Sequence, residues 1–274
     1  MSEQSGVGAG RSGGRASLRR RIVAGLAPRP LAPALLAAGL LAAAAYLRFS
    51  RLGYALMEGD QSVILGIALR FVRGGPLPLA GMKSSAGVMM PPLAEYLLAL
   101  PLFVRQEVMS SVVFSAALGF LAVAACLWFT ARLAGWRAGL IAALLFAVNP
   151  WAVHYSRFLW NPNYIPFFST LLLGSLLLYF AAPGRRGLCL ALSLLWLAAV
   201  IQLHPTSLVL IVAVGLILLL LWRAVSARHL ALGLGLFALS FLPYLLYVKM
   251  TGFADLRAMF AALGGQRAYL NVAS

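Results

Sequence analysis

The stretch Pro91-Pro92-Leu93-Ala94-Glu95-Tyr96-Leu97-Leu98-Ala99-Leu100-Pro101-Leu102-Phe103-Val104-Arg105 decides the topology. It is apolar enough to enter a bilayer. At roughly 15 residues it is shorter than the ~20 a spanning helix needs, and it carries Glu95 and Pro101. It reads as a thin span or as a re-entrant or interfacial helix. If it crosses, Arg132, Arg137, Arg185, Arg186, Arg223 and Arg228 fall outside, and mainly Arg105 and Arg157 fall inside. If it does not, those six arginines all lie in cytoplasmic loops. The positive-inside rule selects the second arrangement.

The membrane setting rests on composition. Of 274 residues, 62% are hydrophobic and 10% charged, and mean hydropathy is +0.92. Long uncharged runs of this kind exclude an ordinary soluble domain. The net charge is +16. In a membrane protein such an excess reports topology and contact with anionic lipids. It does not indicate nucleic acid, which would need a basic soluble domain. Cys126 and Cys189 both lie inside apolar runs and read as small buried hydrophobes.

Outward from the deciding stretch, the chain divides into three. Residues 1–29 are rich in Gly, Ser and Arg and form a basic tail, expected to be disordered and cytoplasmic. Residues 30–250 form the membrane module. A first span runs from Pro30 to Phe49 and is closed by Arg48 and Arg51. Further spans are expected near 108–131, 137–150, 163–182, 188–203, 205–222 and 229–249. The fold class is therefore all-α, a polytopic transmembrane helix bundle of about seven spans with juxtamembrane helices in the first outer loop. Residues 251–274 are expected as an outer tail, the possible start of a truncated loop.

That first outer loop holds Met57-Glu58-Gly59-Asp60-Gln61. The chain has six acidic residues, and two of them sit here. Carboxylates are costly near a bilayer and usually serve a function there. Asp60 to Arg73 reads as an interfacial helix with Val63, Ile64, Ile67, Ala68 and Phe71 on its apolar face. Asp60 falls at its N-cap, so its plainest role is a helix cap, and the sharper one is a chemical centre. In the topology chosen above, the loop Trp151–Asn163 and the break Gln202–Thr206 share Asp60's side. Arg51, Arg70, Arg73 and Lys83 also lie there, against the positive-inside trend. Basic groups so placed suit an anionic ligand such as a lipid phosphate, or snorkel to headgroups.

There is no nucleotide-binding glycine loop, no paired His or Cys metal motif and no serine nucleophile elbow. His154, His204 and His229 are far apart in sequence. His204 before Pro205 marks a helix end, with a ligand contact as the minority reading.

One family does match in order and spacing. Glu58-Gly59-Asp60-Gln61 opens a juxtamembrane helix after the first span. Gly87-Val88-Met89-Met90-Pro91-Pro92-Leu93-Ala94-Glu95-Tyr96-Leu97 follows, then Asn149-Pro150, Ser156-Arg157, Trp160-Asn161 and Leu242-Pro243-Tyr244. Over roughly residues 30–250 the chain resembles the C-type glycosyltransferases that use polyprenyl-phosphate sugars. It is nearest to their protein O-mannosyltransferase and aminoarabinose-transferase-like branch. The resemblance implies about seven spans and an active site on the extracytoplasmic face. It implies Asp60 as catalytic base of an inverting transfer, with Glu58 sharing the site. Arg157 and Lys83 would hold the donor phosphate, and Tyr155, Asn161, Asn163 and His204 the sugar or acceptor. The implied partners are a polyprenyl-phosphate-linked sugar donor and anionic membrane lipids, with no nucleic acid. No cofactor is assigned, and a divalent metal is left open. The implied location is the plasma membrane, multi-pass, with the N-terminus cytoplasmic.

Two departures stand out. Asn161 and Asn163 occupy a neighbourhood where many relatives carry a second carboxylate. Relatives also continue well past the seven-span module, so a fragment or a reduced form is expected. The competing classes are a transporter or flippase and a non-catalytic membrane scaffold. No internal repeat supports the transporter.

Overall fold

The computed structural model describes residues 31–55, 57–84, 87–181, 186–255 and 257. The basic tail over 1–29 and most of the expected outer tail over 251–274 lie outside the described residues. Eleven helices follow in order among the described residues: α1 Leu31–Phe49, α2 Gly59–Val72, α3 Leu93–Val104, α4 Val108–Ala134, α5 Trp136–Val148, α6 Pro150–Tyr155, α7 Ile165–Ala181, α8 Arg186–Leu203, α9 Val209–Leu220, α10 Ala227–Ser240 and α11 Leu242–Met250. Single 3-10 turns at Asn161–Tyr164 and Pro205–Leu208 lead into α7 and α9. The only strand-like pairing among the described residues is an isolated bridge, Lys83 to Met89.

The fold is an all-helical membrane bundle. Leu31–Phe49, Val108–Ala134 and Asn161–Ala181 are long and apolar enough to cross a membrane, and α10 and α11, bent by 50° at their junction, are so only when taken together. The other expected spans are the shorter apolar helices Trp136–Val148, Gly187–Leu203 and Pro205–Leu220. Leu35, Ile141, Leu145, Val212 and Leu220 are exposed, as lipid-facing side chains would be.

The helices pack as a row. α4 touches α1, α5 and α7, while α8 sits between α7 and α10. Small residues set the closest approaches. Ala44, Ala143 and Ala147 meet Val123 where α1, α4 and α5 join, and such small side chains let helix backbones approach. Gly135, at φ 95°, turns α4 into α5; this left-handed backbone favours glycine. Gly174 lies against the Phe129 ring, where a Cβ would come within 2.2 Å.

Contacts settle the path of the deciding stretch. Arg48, near the end of α1, bonds to the carbonyl of Ala147 at the end of α5. Gly119, in the first half of α4, lies against Ser156 and Arg48, and Ser115 meets Tyr164 at 3.0 Å. The end of α1 and the start of α4 therefore sit at the same end of the bundle. The 12-residue helix α3, only about 18 Å long, lies between them in sequence without crossing. Instead α3 packs with α2, α4 and α8.

Two local expectations are corrected. The N-cap of α2 is Glu58, with Asp60 inside the first turn. The Gln61 side chain accepts from the Glu58 main-chain N–H at 2.9 Å, which is half of a capping box. The buried face of α2 accordingly turns toward Gln61, Ile64, Leu65 and Ala68, and Val63 is exposed. The stretch 151–163 is not a plain loop either. Asn149 accepts from Ala152 N at 3.0 Å, Pro150 takes the first helical position, and α6 forms. Both are ordinary helix-start devices.

Candidate functional site

The site gathers at the α1 C-terminal end of the bundle. Glu58 occupies the cap, and Asp60 lines a cavity of about 430 Å³. Glu58, Asp60 and Gln61 form one wall of it, and His154, Tyr155, Phe158 and Trp160 form the other. The second wall is an aromatic cluster built by α6. The Trp151 and Tyr155 rings stack at 5.8 Å, one helical turn apart, and His154 meets Tyr155 edge-on at 5.0 Å.

A second cavity of about 200 Å³ adjoins the first. It is lined by Arg51, Tyr54, Ala55 and Arg157, and shares His154 and Phe158 with the Asp60 cavity. Arg157 is positioned by a 2.9 Å bond from its Nη1 to the Ser50 carbonyl. Arg51 stands at φ 60°, a left-handed conformation uncommon outside glycine. Residues His154 and Phe158 thus stand between a cavity lined by two carboxylate residues and one lined by two arginines. Guanidinium forks suit phosphate oxygens.

The remaining predicted site residues are placed differently. Asn161 is buried, and its Nδ2 donates to the Leu203 carbonyl at 2.8 Å and to Met90 Sδ at 3.3 Å. It holds the end of α8 against the loop between α2 and α3 and lines neither cavity. Asn163 donates to the Phe158 carbonyl at 2.9 Å. The His204 Nδ1 is 2.8 Å from Thr206 Oγ1 and accepts from Thr206 N, which is the helix-end role. Lys83 is exposed at the Lys83–Met89 bridge and lines neither cavity. The structure therefore brings together Asp60, Glu58, Tyr155 and, next door, Arg157; it does not bring Asn161, Lys83 or His204 to them. His154 was missed. Its only sequence cue was its four-residue separation from Phe158, which puts both on the shared wall.

The loop between α2 and α3 is fixed to this end of the bundle. Glu95 is buried and accepts from Met82 N at 2.8 Å. Its other oxygen has no partner among the described residues. Burial pushes the carboxyl up to about 7, against main-chain N–H groups that pull it down. Gly81 permits this approach, since a Cβ there would lie 2.5 Å from Glu95 Oε2. Farther along, Tyr244 donates to the Met89 carbonyl at 2.8 Å. Asp255 accepts both from Met89 N at 3.2 Å and from Tyr247 at 2.9 Å. Among the described residues no group of three or more His, Cys, Asp or Glu converges as a metal site would.

The helical membrane bundle has the architecture of a C-type glycosyltransferase. The chain belongs to the dolichyl-phosphate-mannose-protein mannosyltransferase family, whose model matches residues 89–247. That match includes Met89, Tyr155, Arg157 and Tyr244, and begins after Asp60. Among solved structures the fold is similar to that of ArnT from Cupriavidus metallidurans bound to undecaprenyl phosphate, at a TM-score of 0.63 and 15% identity. The alignment covers 81% of this chain and 42% of that one, so this chain spans less than half of its length. No curated protein sequence matches.

Proposed function

We propose that the protein is an integral membrane glycosyltransferase that takes a sugar from a polyprenyl-phosphate donor and passes it to an extracytoplasmic hydroxyl acceptor with inversion. One observation carries the proposal: the cavity lined by Asp60, which Glu58 and Gln61 leave out of the cap, shares His154 and Phe158 with the cavity lined by Arg51 and Arg157. In this reading the acceptor oxygen attacks the anomeric carbon and its proton passes to the Asp60 carboxylate. The bond from that carbon to the phosphate oxygen breaks, and the electron pair leaves with the lipid phosphate. Arg51 and Arg157 stabilise the charge that develops there. His154 and Tyr155 shape the space for the sugar between the two ends. Family membership supports the reaction class, and the undecaprenyl phosphate held by the similar structure supports the donor chemistry. The bundle end that carries the site would face away from the cytoplasm at the plasma membrane, among anionic lipids. The positive-inside count of the sequence supports this orientation.

The test is transfer of a labelled sugar from a polyprenyl-phosphate donor pool in membranes. Wild-type protein is compared with Asp60→Asn and Arg157→Ala at matched expression. Label that disappears with Asp60→Asn and falls with Arg157→Ala is the expected result. Equal labelling by Asp60→Asn and wild type would remove Asp60 as the base.

A further inference from the structure

Of the two residues that line both the Asp60 cavity and the arginine cavity, Phe158 offers only a ring, and His154 brings two ring nitrogens. The imidazole lies edge-on to Tyr155 at 5.0 Å and at 25° to the Phe158 ring at 6.5 Å. These ring contacts are its interactions, and among the described residues neither nitrogen is hydrogen-bonded. Ring packing accounts for an aromatic residue at this position; it does not call for nitrogen. The side chain is exposed, so it exchanges protons with water. The ionisable residues on the shared walls are Glu58 and Asp60 at the start of α2, Arg51 and Tyr54 between α1 and α2, and Tyr155 and Arg157 around the end of α6.

In the transfer proposed above, the electron pair of the broken bond stays on the lipid phosphate. Guanidinium groups stabilise that charge but do not give up a proton near neutral pH. A phosphate monoester takes up its second proton at about pH 6, and a free imidazole does so at about pH 6.5. A proton shared between them is close to balance, and a general acid works best under that condition. Phenols hold theirs to about pH 10, a poorer match. We propose that His154 is a further catalytic residue, which gives an imidazolium proton to the departing phosphate while Asp60 takes the proton of the acceptor hydroxyl. Over one turnover the acceptor oxygen loses a proton and the phosphate gains one. Asp60 and His154 then return to their starting states by exchange with water. The assignment rests on the transferase reading and adds a second proton-handling group to it, on the wall that the two cavities share.

The experiment follows labelled-sugar transfer from a polyprenyl-phosphate donor pool by the full chain in membranes, at matched expression, from about pH 5 to about pH 9. Wild type is compared with three variants. His154→Phe keeps a ring against Tyr155 and Phe158. His154→Gln keeps an N–H that does not titrate. His154→Ala is assayed with and without added imidazole. Transfer should fall about a hundredfold for His154→Phe and His154→Ala, and less for His154→Gln. Wild-type transfer should decline on the alkaline side as the imidazolium is lost, and His154→Gln should lack that decline. Imidazole should restore part of the activity of His154→Ala and none of that of His154→Phe, whose ring fills the space. Transfer by His154→Phe within about twofold of wild type overturns the proposal. So does an equal loss in all three variants with the alkaline decline retained and no rescue, the behaviour of a residue that only shapes the wall. Asp60→Asn, run beside them, separates the two readings. Wild type that transfers no label, or Asp60→Asn that labels as wild type does, removes the transferase reading and this assignment with it. His154 variants that match wild type while Asp60→Asn is inactive remove this assignment alone.

Discussion

The two short helices between α1 and α4 each carry a carboxylate in their first turn, and the two carboxylates have opposite surroundings. Asp60 on α2 is exposed, free of the cap and open to a cavity. Glu95 on α3 is buried, bonded to Met82 N and pushed up to about 7. Position within a helix does not assign a role to an acid; what packs against it does. Glu95 holds the loop at this end of the bundle, and Asp60 is left exposed beside a cavity.

The comparison breaks most visibly if the two acids are exchanged in effect. Asp60→Asn should lower sugar transfer by roughly a thousandfold, the scale of losing a general base, without changing thermal stability. Glu95→Ala should do the reverse. It strands the Met82 N–H in a buried place and costs about 2 kcal/mol of stability, read as a lower melting temperature in detergent. A fall in melting temperature for Asp60→Asn as large as that for Glu95→Ala would erase the distinction.

A pH series sharpens it. The folded-state pKa of Glu95 is raised, so the native protein holds that proton more tightly than the unfolded chain. The contribution is complete below the unfolded value, near 4.5, and is lost as pH rises through about 7. Melting temperature should therefore decline between those limits and level off above them. In Glu95→Gln this part of the slope should vanish, while the amide oxygen still accepts from Met82. An unchanged slope would show that the titration belongs elsewhere. The smallest effect is expected at Gln61→Ala, which removes one capping bond and should cost about 1 kcal/mol.

Much of the scaffold was legible in the chain. Apolar runs placed α4, α7 and α8 to within a few residues, because lipid demands length and hydrophobicity along one continuous segment. The charge count chose a non-crossing path for 91–105, and the contacts of Arg48 and Gly119 agree. Helix starts were read less well. Glu58-Gly59-Asp60-Gln61 carries a Gln three residues after its true cap, yet Asp is the commoner capping residue and drew the assignment. Asn149-Pro150 announced α6, but its six residues were too few to show a period. Partners distant in sequence were not legible at all. Asn161 is committed to Leu203 and Met90, 42 and 71 residues away, and Arg48 reaches a carbonyl 99 residues on. No local pattern distinguishes such an arginine from one that ends a span at the headgroups.

The hold of Tyr244 and Asp255 on Met89 has a consequence in biosynthetic time. These bonds join residues 155 and 166 positions apart. During translation the loop carrying Met89 leaves the ribosome long before the residues that clasp it exist. Until α11 is made and its bend has brought Tyr244 into place, that loop has Glu95 and, later, Asn161, but not its last fastening. The loop is therefore clasped only once Leu242–Met250 has been made, and a nascent protein halted before residue 240 would carry Asp60 and Arg157 on an unclosed support.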